Sequence, residues 1–196
     1  MSTENTTLLQ ARHMILIGAT GRNSGKTTLA LQIIKAFKDK IPFVAFKLIT
    51  ISNHGDICPR GGHGCGICSG LRGTFDIELE TGTGTKDTML LKKAGAKQVY
   101  LIRAFKENVR EALEEVLKLV PEGALVLCES NSARLVVQPG FFVMIQSSAS
   151  SSIKPTAKTV MEYADVILPQ NEASFLNFIE KQLSQKIKPY FPEPNQ

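Results

Sequence analysis

The stretch GATGRNSGKTT at residues 18–28 constrains the chain most, because it joins an apolar run to a helical one through a turn built of small residues. Before it, residues 13–17 (HMILI) read as a buried strand. After it, Leu29, Ala30, Ile33, Ile34 and Phe37 recur at helical spacing. Gly25, Lys26 and Thr27 complete the pattern Gly-x-x-x-x-Gly-Lys-[Ser/Thr], although Thr20 stands at its first glycine position, between Gly18 and Gly21.

A triphosphate is a dense anion, held best by several backbone N–H groups, and small residues let the backbone curl around it. A helix beginning near Gly25 would present its free amides and positive dipole end to phosphate. In this P-loop reading Gly21, Asn23, Ser24, Gly25, Lys26, Thr27 and Thr28 contact a nucleotide. Lys26 reaches the β- and γ-oxygens as the catalytic cation, and the Thr27 hydroxyl faces Mg²⁺. An acid ending another strand commonly shares that Mg²⁺. Glu129, closing ALVLCE, is the leading candidate for this magnesium and catalytic role, with Asp56, Asp76 and Asp87 as alternatives. There is no Asn-Lys-x-Asp segment for reading guanine, and no lysine at position 21, so GTP and ATP stay open. Lys154 is a candidate contact for base or phosphate, or an exposed lysine.

Cys58, Cys65 and Cys68, with His63 and His54 nearby, are the second signal. Three soft ligands at this spacing suit Zn²⁺ completed by a histidine, or an iron–sulfur cluster completed by a ligand from elsewhere or from a second subunit. A loop with metal-free thiols is the alternative. Cys128 precedes Glu129 in a strand, so its side chain is expected on the opposite face, packed in the core.

With 196 residues, 43% of them hydrophobic, the chain suits one domain with a full core. The expected organisation is a polar, disordered leader over 1–12, a single nucleotide-binding domain over 13–188 with a cysteine-rich insertion at 53–73, and a proline-broken tail over 189–196. Strands are expected at 41–51, 98–103, 124–128, 141–146 and 165–168, and helices at 86–94, 109–120, 157–163 and 172–188. Thr85 is the expected cap of the first of these helices, Gly95 its stop, and residues 139–140 (PG) a loop. This alternation predicts a three-layer α/β P-loop NTPase fold with a mostly parallel central sheet. Ligands of such sheets sit outside the carboxyl ends of the strands. The net charge of +5 is scattered, without a basic run or interleaved aromatics, which argues against nucleic acid as a partner. No apolar run reaches the ~20 residues that span a membrane, and no signal-peptide pattern precedes the domain. The expected location is cytoplasmic.

The segments TGRNSGKTTL (20–29), KDTMLLKKAGA (86–96) and LVLCES (125–130) resemble the corresponding stretches of the MobB family, the molybdopterin-guanine dinucleotide biosynthesis adaptor proteins. The resemblance implies an α/β protein that binds nucleotide, usually GTP, is often a homodimer, and assists a partner enzyme in attaching GMP to molybdopterin. It implicates Gly25, Lys26, Thr27 and Thr28 in phosphate and Mg²⁺ binding, and Glu129 as the strand-end acid. The cysteine cluster lies outside the family pattern. Two alternatives therefore stand beside a slow MobB-like NTP hydrolase. One is a metallocentre maturation NTPase that carries metal on the cysteine loop. The other is a small-molecule kinase, with Arg60, Arg72 or Arg134 on a lid.

Overall fold

The computed structural model describes residues 7–51, 71, 73–148, 153–170 and 181. These residues form one seven-stranded sheet. In chain order the elements are β1 (Leu9–Ala19), α1 (Lys26–Phe37), β2 (Phe43–Ile51), β3 (Phe75–Leu79), α2 (Asp87–Ala94), β4 (Gln98–Phe105), α3 (Val109–Leu117), β5 (Leu125–Glu129), β6 (Val137–Gln146), α4 (Pro155–Val160) and β7 (Val166–Pro169). The strand order is β3-β4-β2-β5-β1-β6-β7, and every pairing is parallel except that of β3 with β4.

Alternation along the strands divides the core in two. Ile15, Ile17, Ala19, Phe43, Ala45, Leu125 and Leu127 pack with the apolar stripe of α1 and with Leu91 and Ala94 of α2. Their neighbours Met14, Leu16, Val44, Phe46, Val126 and Cys128 pack with Val109, Ala112, Leu113 and Val116 of α3 and with Ala157 and Val160 of α4. Strands buried on both sides must be apolar at nearly every position, and β2, β5 and residues 14–19 of β1 are. The stripe expected on α1 is buried residue for residue. Cys128 is buried in the second core, as its parity requires. Among the described residues no helix is long and apolar enough to cross a membrane.

Several boundaries differ from the sequence expectation. β1 begins at Leu9, because Leu9 to Ala11 pair with Val137 to Pro139. Residues 9–12 therefore belong to the sheet and not to a leader. β3 was not anticipated. Its alternation of Phe75, Ile77 and Leu79 with Asp76 and Glu78 suits an edge strand, and Arg103 of β4 pairs with both acids. α2 starts at Asp87, with Lys86 rather than Thr85 at its cap position and no side-chain capping bond, whereas Gly95 ends it at φ 119° as expected. The helix expected over 172–188 and the tail lie outside the described residues.

Residues 139–140 lie within β6 and do not form a loop. The β1–β6 register shifts there: Ala11 pairs with Pro139 and Ile15 with Phe141, so three β1 residues face Gly140 alone. Such a bulge tolerates a proline, which lacks a ladder N–H. It also presses the backbones together. A Cβ on Gly140 would lie 2.0 Å from the Arg12 carbonyl oxygen. Gly140→Ala should therefore lower unfolding free energy by about 2–4 kcal/mol, read as a fall in the denaturant midpoint.

Candidate functional site

Apolar rows on the α1/α2 face end in charge at the carboxyl edge of the sheet. Along β5 the row runs Leu125, Leu127, Glu129, and along β2 it runs Phe43, Ala45, Lys47. Parallel registers set Glu129 beside both Ile17 and Lys47. The Glu129 side chain has 0% exposure. One of its oxygens, Oε2, accepts from Lys47 Nζ at 2.6 Å and from the Thr27 hydroxyl at 3.0 Å. The other, Oε1, is buried without a hydrogen-bond partner among the described residues.

Thr27 arrives from the helix that follows β1. Between strand and helix, Asn23 (φ 52°) and Gly25 (φ 87°) adopt left-handed backbone, and Gly25 occupies the N-cap position of α1. Gly25 is the residue for which that conformation carries no steric penalty. The first helical bond runs from Leu29 N–H to the Gly25 carbonyl, so the amides just before it stand outside the helical ladder, at the positive end of the helix. No acid occupies the first turn of α1 to compete with an incoming anion. Asn23, Ser24, Gly25, Lys26, Thr27, Thr28, Lys47 and Asp87 line a cavity of about 270 Å³ over this turn.

The turn is anchored from below. Thr20, in the place of the pattern's first glycine, donates its N–H to Ile145 O, accepts Lys154 N–H at its carbonyl and accepts Ser147 N–H at its hydroxyl. Asn131, two residues beyond Glu129, clamps the end of β1 with both halves of its amide, at 2.8 Å to Ala19 N–H and 2.9 Å to Ala19 O. Gln170, past β7, donates to Asn23 O.

Asp87 comes from the far side, where it opens α2 and pairs with Lys47 at 2.7 Å. The preceding turn is fixed by Glu80, whose carboxylate accepts from Gly82 N–H and from the Thr88 hydroxyl. These bonds hold the Glu80 carboxyl below its ordinary range.

The two lysines have opposite electrostatic fates. Burial, with Lys154 and Lys47 as neighbouring cations, pushes Lys26 down to about 8. Burial would lower Lys47 as well, but the charges and hydrogen bonds of Glu129 and Asp87 outweigh it and hold its ammonium above the ordinary value. Lys26 is thus short of negative charge and Lys47 is supplied with it. An anion entering the cavity would meet an undercompensated cation. Burial, with the neighbouring Glu129 charge adding to it, pushes the Cys128 thiol far above the reactive range, which fits a packing role.

The structure brings together six of the residues expected to contact nucleotide, Asn23 to Thr28, with Glu129. Gly21 is buried in the turn and does not line the cavity. Asp87, one of three alternative acids, joins the site, whereas Asp76 pairs with Arg103 at the β3 edge. Lys154 is half-buried and near enough to Lys26 to depress it. Arg134, weighed above as a lid residue, is buried against the Tyr163 ring and donates to Val137 O and Gln138, so it braces β6 instead. Cys58, Cys65, Cys68, His54, His63, Asp56, Arg60 and Arg72 lie outside the described residues. Among the described residues no three His, Cys, Asp or Glu side chains converge as a metal site. Lys47 was missed, and the segment 129–131 was expected at this edge without the clamping role of Asn131. A single lysine on the buried parity of an otherwise apolar strand was the available signal for Lys47, since a buried charge requires a partner.

The depressed Lys26 carries a stability consequence. Its folded value lies below its unfolded one of 10.5, so between about 8 and 10.5 the unfolded chain binds the extra proton and stability gains with rising pH. Lys26→Met should be more stable than the parent at pH 7, by about 1 kcal/mol after allowance for solvent screening. That advantage should shrink as pH approaches 10, read as the difference between the two proteins in calorimetric melting. Comparison with family models, curated proteins and solved structures finds no match to this chain.

Proposed function

We propose that this chain binds a nucleoside triphosphate, GTP or ATP, together with Mg²⁺, at the cavity over residues 23–28. The carrying observation is the Thr27 hydroxyl donating to a fully buried Glu129 beside a left-handed glycine that opens a helix. Phosphate would take the free amides of the turn and the Lys26 ammonium, which gains the negative charge it lacks.

The donor set fits Mg²⁺. Thr27 Oγ1 and Glu129 Oε1 are hard oxygens, and Oε1 is a buried carboxylate oxygen without a hydrogen-bond partner among the described residues. Glu129 and Thr27 would hold magnesium, which would supply charge to offset that of phosphate.

The resemblance to MobB gives this reading its biological direction. The chain would be a slow NTP hydrolase that assists a partner enzyme in attaching GMP to molybdopterin, acting as a cytoplasmic homodimer. Support comes from Asp87, inside the second of the three resembling segments, which lines the same cavity as residues 23–28 of the first and pairs with Lys47, itself bonded to Glu129 of the third. Lys26→Ala should lose GTP and ATP affinity by roughly tenfold to hundredfold, the worth of one charge-assisted contact, while circular dichroism stays unchanged. Unaltered calorimetric affinity for both nucleotides in that variant would sink the assignment.

A further inference from the structure

Lys47 holds the Glu129 carboxylate at Oε2 and touches the Thr27 hydroxyl, the two groups that would hold a divalent cation. Its Nζ lies 2.6 Å from Glu129 Oε2, 2.7 Å from Asp87 Oδ2 and 3.4 Å from Thr27 Oγ1, to which it donates. A magnesium ion held by the Thr27 hydroxyl and the Glu129 carboxylate would share both groups with the ammonium. Ammonium and metal would then be a few ångströms apart in a poorly solvated wall, where like charges repel strongly.

The two carboxylates around the lysine differ in a way that suggests an outlet. Glu129 is fixed in the sheet with 0% side-chain exposure, whereas Asp87 is 50% exposed at the start of α2. Lys47 has a flexible four-carbon stem and can keep Asp87 while releasing Glu129.

We propose that the Lys47 ammonium and a divalent cation compete for the Thr27–Glu129 oxygens, with Asp87 as the lysine's second anchor. The proposal deepens the nucleotide–Mg²⁺ reading and rests on it for the identity of the cation. In it the sheet carries a tethered cation that keeps Glu129 neutralised without metal. Metal loading moves the lysine towards α2, so the start of that helix registers whether metal is held. Lys47 is a positioning residue here and takes no chemical step.

The test uses the full chain without nucleotide, with Mn²⁺ binding followed by electron paramagnetic resonance and melting temperature measured with and without Mn²⁺. Lys47→Met removes the competitor and should bind Mn²⁺ roughly tenfold tighter or more than the parent. Mn²⁺ should also raise its melting temperature further than the parent's, because binding to the native state alone stabilises it. Should Lys47→Met fold only when Mn²⁺ is present, the same conclusion holds in its extreme form. Lys47→Arg guards against a variant that does not fold at all. Its planar fork grips a carboxylate in two places, so Mn²⁺ should bind several-fold more weakly than to the parent. Mn²⁺ affinity equal to the parent's in Lys47→Arg, or equal or weaker in a folded Lys47→Met, overturns the proposal. The two readings fail separately. Tighter Mn²⁺ binding with no nucleotide affinity in the parent keeps the competition and loses the nucleotide. Nucleotide binding through Lys26 with Mn²⁺ affinity indifferent to Lys47 does the reverse.

Discussion

A carboxylate with no exposed surface, set into the middle of a parallel sheet, is the constraint around which the rest is arranged. Removing a charge from water costs several kcal/mol even after relaxation, and only close partners of opposite charge or good hydrogen bonds offset it. Among the described residues Glu129 obtains both at one oxygen, from Lys47 and Thr27, and neither at the other. An apolar residue there would pack with Leu125 and Leu127 at no such cost. The half-satisfied carboxylate is thus a poor device for stability and a good one for holding a cation.

The geometry that brings the partners together follows from strand order. β5 lies between β1 and β2, so a residue at its carboxyl end faces the helix following β1 on one side and a β2 side chain on the other. Parallel pairing places all three strand ends at one edge, and the shared parity of Ile17, Lys47 and Glu129 directs that row to the face covered by α1 and α2. Asn131 then ties the strand after which the turn begins to the strand that carries the acid. The spacing of Lys47 and Glu129 is therefore set by the sheet, and Thr27 reaches them through a turn whose strand Asn131 holds.

Much of this was legible in the sequence where one residue decides one local conformation. The apolar stripe of α1, the left-handed stop at Gly95 and the burial of Cys128 opposite Glu129 each follow from short-range rules of period and parity. The elements misjudged depend on a partner distant in the chain. β3 becomes a strand because β4 offers an edge, and β1 extends back to Leu9 because β6 continues beneath it. The proline and glycine of β6 read as a turn until the bulge opposite them is seen. At the site, the glycines and Lys26 were visible as a contiguous motif. Lys47 and the clamping role of Asn131 were not, since both depend on register, about 20 and about 110 residues away in the chain.

Thr20 offers a last consequence. Its amide, carbonyl and hydroxyl are each bonded to a different point of the chain beyond β5. A glycine would have supplied the first two of these bonds and more backbone freedom. With the threonine, the conformational entropy of the turn is spent when the protein folds and not when something docks. An anion reaching these amides meets a surface already in its final shape. Its rate of capture would then be set by encounter and the local field of Lys26, with no closing motion of the turn to wait for.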